Sequence, residues 1–88
     1  MKIVSKQDAK KIGENLGINW KEVNLEEFTK GITVEFEHGS RYPETNVTND
    51  NIEMTGKIAW AHLKEFPDYY TRLEIMETQA EDYWKNKL

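Results

Sequence analysis

The chain has no cysteine, which excludes disulfides, thiolate zinc sites and a cysteine nucleophile. Its serines are Ser5 and Ser40, both in capping or turn contexts, and no set of nucleophile, base and orienting group can be assembled around them. No apolar run approaches the roughly 18 residues that a membrane span needs. Met1 to Lys6 is not followed by the long apolar core of a secretory signal, so a cytoplasmic setting without a membrane partner is expected. Basic residues number 12 against 16 acidic ones, and the net charge of −4 disfavours binding to duplex DNA or RNA. The glycine-rich cradle of a phosphate loop is missing as well. Thr55-Gly56-Lys57 looks like the end of one, but position 50 is Asp where the upstream glycine belongs. Tyr69, Tyr70 and Trp84 come without a basic groove, so they read as core and interface residues and not as a platform for stacked bases.

What remains is an 88-residue chain with 38% hydrophobic residues and three tryptophans, which argues against disorder and predicts one domain over residues 1–88. The pattern is all-α, with four helices. Ser5 and Asp8 form an S-x-x-D capping pattern, after which Ala9, Ile12 and Leu16 repeat at helical spacing. Gly17 suits the left-handed residue that ends this first helix. Asn19 to Val23 is a connector in which Trp20 reads as a core plug. Asn24 with Glu27 opens the second helix, whose stripe is Leu25, Phe28, Ile32 and Phe36. Ile32 to Glu37 also alternates like a strand. The helix is preferred to about His38, with Gly39 as its terminator. Gly39 to Asp50 reads as a long loop between helices two and three. The third helix starts near Asp50 or Asn51 and turns Ile52, Thr55, Ala59, Leu63 and Phe66 inward. Pro67 ends it and suits the start of the fourth, with Asp68 favourable at the positive end. Tyr69, Leu73, Met76, Ala80 and Tyr83 form the stripe of that fourth helix, widened by Tyr70, Trp84 and Leu88.

Several stretches carry a resemblance. Gly31-Ile32-Thr33-Val34-Glu35-Phe36-Glu37-His38-Gly39, Thr45-Asn46-Val47-Thr48-Asn49-Asp50, Thr55-Gly56-Lys57-Ile58-Ala59 and Ala61-His62-Leu63-Lys64-Glu65-Phe66-Pro67-Asp68-Tyr69-Tyr70 together resemble a small domain family of unknown function found in bacteria and their phages. Its hallmark reads E-x-E-H-G, then T-G-K-I-A-x-A-H-L-x-E-x-P-D-Y-Y-x-x-L, and Gly17 to Trp20 also fits. The chain departs from it at Asn51-Ile52, where an acidic residue and a proline are expected, and at Trp60, where leucine is expected. The resemblance implies a small helical domain in a bacterial or phage setting and implies no particular chemistry.

The candidates for chemistry are the two histidines, each with a carboxylate three residues away. Glu35-x-x-His38 and His62-x-x-Glu65 each place two potential ligands on one helical face. Paired Glu-x-x-His motifs hold dimetal centres in helical bundles, and such mixed ligands suit iron, manganese or zinc. If helices two and three form an antiparallel hairpin, however, the two pairs lie roughly 20 Å apart at about 1.5 Å per residue. The competing reading is structural: His62, Glu65, Asp68 and Tyr69 surround the turn between the last two helices and form a polar cluster that fixes their angle. Trp60 falls off the main stripe, on the side of Gly56 and Lys64. Exposed, it would anchor a partner together with Tyr42; buried, it would widen the core. The leading reading is therefore a non-enzymatic module without a cofactor that binds another protein. The alternative is a metal-binding protein or metal-dependent enzyme using Glu35, His38, His62 and Glu65.

Overall fold

Three of the four helices open with the same local device. The computed structural model describes residues 4–46, 48–49 and 51–87. Ser5 Oγ accepts from the Asp8 amide at 3.1 Å and starts α1 (Lys6–Leu16). Asn24 Oδ1 accepts from Glu27 at 3.0 Å and starts α2 (Leu25–Arg41). Asn51 Oδ1 accepts from Met54 at 2.8 Å and starts α3 (Ile52–Glu65). Each cap satisfies an amide that the first helical turn leaves free. Asp50, the other residue expected to open α3, lies outside the described residues. Gly17 takes a φ of 86° after α1, and the amides of Gly17 and Ile18 return to the carbonyls of Glu14 and Gly13. That paired closure needs a left-handed residue, which glycine adopts without steric cost. No strand occurs among the described residues, so the alternating Ile32 to Glu37 segment is helical throughout.

Gly39 does not end α2. The helix runs through it to Arg41, and Gly39 is present because Thr48 packs there: a Cβ at position 39 would stand 2.5 Å from the Thr48 hydroxyl oxygen. The terminator is Pro43, which forces the preceding Tyr42 to extended backbone at φ −128°, ψ 124°. The expected long loop is correspondingly shorter and is held by its own hydrogen bonds. Pro43–Thr45 form a 3-10 turn, the Asn49 amide donates to Asn46 Oδ1 at 2.8 Å, and the Asn51 amide donates to the Thr48 carbonyl at 2.9 Å.

The core gathers Ala9 of α1, Phe28, Ile32 and Phe36 of α2, and Ala59 and Leu63 of α3, with Ile18 and Val23 from the connector. Trp20 plugs its edge, tilted against Phe28 at 5.6 Å between ring centres and lying over Gly13, where a Cβ would overlap the indole. The inward stripe expected for α3 holds for Thr55, Ala59 and Leu63, whereas Ile52 and Phe66 at its two ends are exposed. Phe66 follows the helix in extended backbone ahead of Pro67, and the Arg72 guanidinium covers its ring at 4.0 Å.

The fourth helix, α4 (Tyr69–Lys87), begins two residues after Pro67 and runs alongside α2 in the same direction. The successive pairs Glu27 with Thr71, Lys30 with Glu74, and His38 with Glu77 establish that direction. Its buried residue is Tyr70, and Tyr69 and Leu73 are half-buried. The rest of the expected stripe is not covered: Met76, Ala80, Tyr83 and Trp84 are all exposed. At about 1.5 Å per residue the helix is roughly 28 Å long, and the body of the domain packs on its first turns. The molecule is accordingly elongated, 45 × 26 × 21 Å. Leu88, expected to widen the stripe, lies outside the described residues.

Candidate functional site

Two carboxylates on one face of α2 organise the junction with α4. Glu27, Gly31 and Glu35 are spaced four residues apart and so stack along the helix. Tyr70 lies on that row. Its amide donates to Glu27 Oε1 at 3.1 Å, its ring rests over Gly31, and its hydroxyl donates to Glu35 Oε2 at 2.8 Å. Glu27 also accepts from the Thr71 amide at 3.2 Å and, through Oε2, from the Thr71 hydroxyl. Buried at 8% exposure, it satisfies two free amides of the first turn of α4, the task a capping side chain performs at the other helices. A negative charge there also suits the positive end of the helix.

Glu35 meets His62 of α3 as well, with His62 Nε2 3.8 Å from Glu35 Oε2. The imidazole stacks on Tyr69 at 4.3 Å between ring centres and 15° between planes, and Tyr70 meets both rings edge-on. His62 Nδ1 is buried and finds no hydrogen-bond partner among the described residues. Burial, reinforced by the adjacent Glu35 charge and hydrogen bond, raises the Tyr70 phenol far above the ordinary tyrosine range. In the unfolded chain that phenol ionises near pH 10, but the folded protein holds the proton to higher pH, so stability should fall as pH rises above about 10. The expected slope is about 1.4 kcal/mol per pH unit for this one group. Urea melts across pH 9 to about 11 should show it, and Tyr70→Phe should flatten it.

The expected ligands divide between two places. Glu35 and His62 meet, so the α2–α3 packing does not separate them as an antiparallel hairpin would. His38 turns instead to Glu77, at 3.2 Å. Among the described residues no group of three or more His, Asp or Glu side chains is placed to hold a metal ion. Of the polar cluster expected at the turn between α3 and α4, His62 and Tyr69 stack together. Asp68 pairs with Arg72 at 2.8 Å, and Glu65 is exposed. Trp60 is half-buried against the core with the Lys64 amine 4.4 Å over its ring, whereas Tyr42 is 54% exposed. Tyr42 shares an open groove of about 640 Å³ with His38, Arg41, Glu81 and Trp84, between the end of α2 and the second half of α4.

The residues that hold the α2–α4 junction, from Glu27 to Tyr70, all lie in the stretch where a family match falls. The profile of the family described as a protein of unknown function (DUF5661) matches residues 9–79. The chain belongs to that family. No curated protein and no solved structure matches it. Within this DUF5661 domain the matched span takes in Glu27, Glu35, His62 and Tyr70 and stops inside α4, ahead of Tyr83 and Trp84. Two exposed aromatics of the groove and its surroundings therefore lie outside the part that the family profile describes.

Proposed function

We propose that this DUF5661 domain is a non-enzymatic protein-interaction module that presents the second half of α4 to its partner. The observation that carries this reading is the exposure of Met76 (57%), Tyr83 (54%) and Trp84 (66%) along a helix whose first turns are firmly held. Solvent-facing aromatics on a rigid element lose little side-chain freedom on binding, and Tyr and Trp are enriched among the residues that dominate interface energies. Tyr42 extends the same face across the groove. The titratable cluster supports the reading too, because His62, Glu35 and Tyr70 are engaged with one another in joining three helices.

The test is capture from a bacterial lysate on immobilised tag-free protein. Tyr83→Ala with Trp84→Ala should remove the captured protein while leaving urea stability within about 0.5 kcal/mol of the wild type, as expected for exposed sites. Undiminished capture by that variant would reject the reading.

A further inference from the structure

We infer that α4 is a latched element, which releases from α2 and α3 as one cooperative unit and melts as it leaves, while α1 to α3 keep their fold; this holds whether or not α4 binds a partner. The placement of its buried contacts carries the inference. From Glu74 to Lys87 every residue is exposed apart from the half-buried Glu77. A helix of 19 residues is therefore held at Tyr69, Tyr70, Thr71 and Leu73, with two ion pairs further along, Lys30 with Glu74 and His38 with Glu77. Among the described residues, Tyr70 is the one buried hydrophobic side chain that α4 adds to the core. The others come from α1 to α3 and the connector, so the body keeps a core of its own when α4 departs.

The latch is polar. Glu27 accepts from the Tyr70 amide, the Thr71 amide and the Thr71 hydroxyl, and Glu35 accepts from the Tyr70 hydroxyl. Losing such donors is most costly where water cannot replace them. Departure of α4 opens both carboxylates to water, so neither stays buried and unpaired. The joint lies at Glu65, Phe66 and Pro67, which are all exposed, and the Arg72 guanidinium over the Phe66 ring is a surface contact across it. Once free, α4 loses the packing that sustains most helices in proteins. Its middle ion pairs run to α2 and not along itself, and Thr71, Ile75 and Thr78 are β-branched. Glu77 and Glu81 repel at a spacing of four residues, and Lys85 offsets them in the last turns. Opening thus dissolves the ordered face that carries Met76, Tyr83 and Trp84, which makes α4 an order–disorder switch.

The test is native-state amide exchange of the full-length chain in deuterium oxide, followed by NMR at several low urea concentrations. Amides of residues 73–83 should share one opening equilibrium with a shallow urea dependence, at least about tenfold more open than the amides of Ile32, Phe36 and Leu63. Those core amides should exchange through global unfolding, with a steep urea dependence. Two variants separate the steps. Ile18→Val weakens the α1–α3 core and should speed core exchange about fivefold while changing residues 73–83 less than about twofold. Tyr70→Phe loses the bond to Glu35 and weakens only the closed state, so it should speed both sets by one shared factor of about ten. A single equilibrium for α4 and the core, or an equal effect of Ile18→Val on both, would overturn the inference by making α4 part of the global unit. Protection that falls steadily along α4 from a core-like level at Leu73 would overturn it too, because the helix would then fray from its end and not release as a unit.

Discussion

Replacing Glu27 with alanine should cost about 3 kcal/mol and lower the melting temperature by about 15 °C, the largest loss expected from any polar substitution in this chain. The carboxylate is buried and accepts from the Tyr70 amide, the Thr71 amide and the Thr71 hydroxyl, so its removal leaves two helix-start amides without an acceptor in a place water reaches poorly. Hydrogen bonds to a charged acceptor contribute about 1.5–3 kcal/mol each, and an abandoned buried donor adds its own desolvation cost. Partial relaxation of the helix start towards solvent brings the net figure back to about 3 kcal/mol. Against a total stability of roughly 4–13 kcal/mol for a domain of this length, that is a large share. Glu27→Gln keeps one accepting oxygen and should lose about half as much. Urea melts give the energies, and amide hydrogen exchange locates them: protection at Tyr70 and Thr71 should fall before that of the core amides. A loss under about 1 kcal/mol for the alanine variant would show that α4 does not depend on this carboxylate for its start.

The contrast between caps and core explains what the sequence discloses. Ser5, Asn24 and Asn51 cap amides three residues away, and Gly17 closes the helix that it directly follows, so each could be read from neighbours. The Glu27–Tyr70 bond spans 43 residues and the Glu35–Tyr70 bond 35, and no local pattern names such partners. A signal was nevertheless present. Glu27, Gly31 and Glu35 are spaced as a row on α2, with a gap between two carboxylates, and the row becomes intelligible once a ring is known to fill the gap. The stripe of α4 shows the opposite limit. Periodicity identified the helix and the residues on its apolar side, but an apolar side says nothing about whether the covering partner belongs to the same chain. A glycine at a close approach and a glycine at a helix end look alike in sequence, so Gly39 resembles a terminator although Pro43, four residues on, ends the helix. For the candidate site, proximity in the chain put His62 beside Asp68 and Tyr69; the fold kept Tyr69, gave Asp68 to Arg72 and brought Glu35 across from α2.

Gly31→Ala tests that row directly, because two effects oppose each other there. In the interior of a helix alanine is favoured over glycine by about 0.8–1.0 kcal/mol, so propensity alone predicts a more stable protein. Sterics predict the reverse. The new Cβ would overlap the Tyr70 ring, standing 2.8 Å from Cδ2 and 2.9 Å from Cζ, with Cε2 closer still. The ring has little freedom to retreat, since its hydroxyl is fixed by Glu35, its amide by Glu27, and its edges by His62 and Tyr69. Relief requires moving α4 outward, and overpacking of this kind costs about 1–3 kcal/mol. The clash should prevail, leaving Gly31→Ala about 2 kcal/mol less stable than the wild type by urea denaturation. A double-mutant cycle separates the two effects. With Tyr70→Ala as the background the obstruction is gone, and Gly31→Ala should then be neutral or stabilising by up to about 1 kcal/mol. The difference between the two backgrounds is the coupling between the glycine and the ring, expected at about 2–3 kcal/mol. Equal effects of Gly31→Ala in both backgrounds would mean that the ring does not rest on this position, and the packing of α4 on α2 through Tyr70 would have to be abandoned.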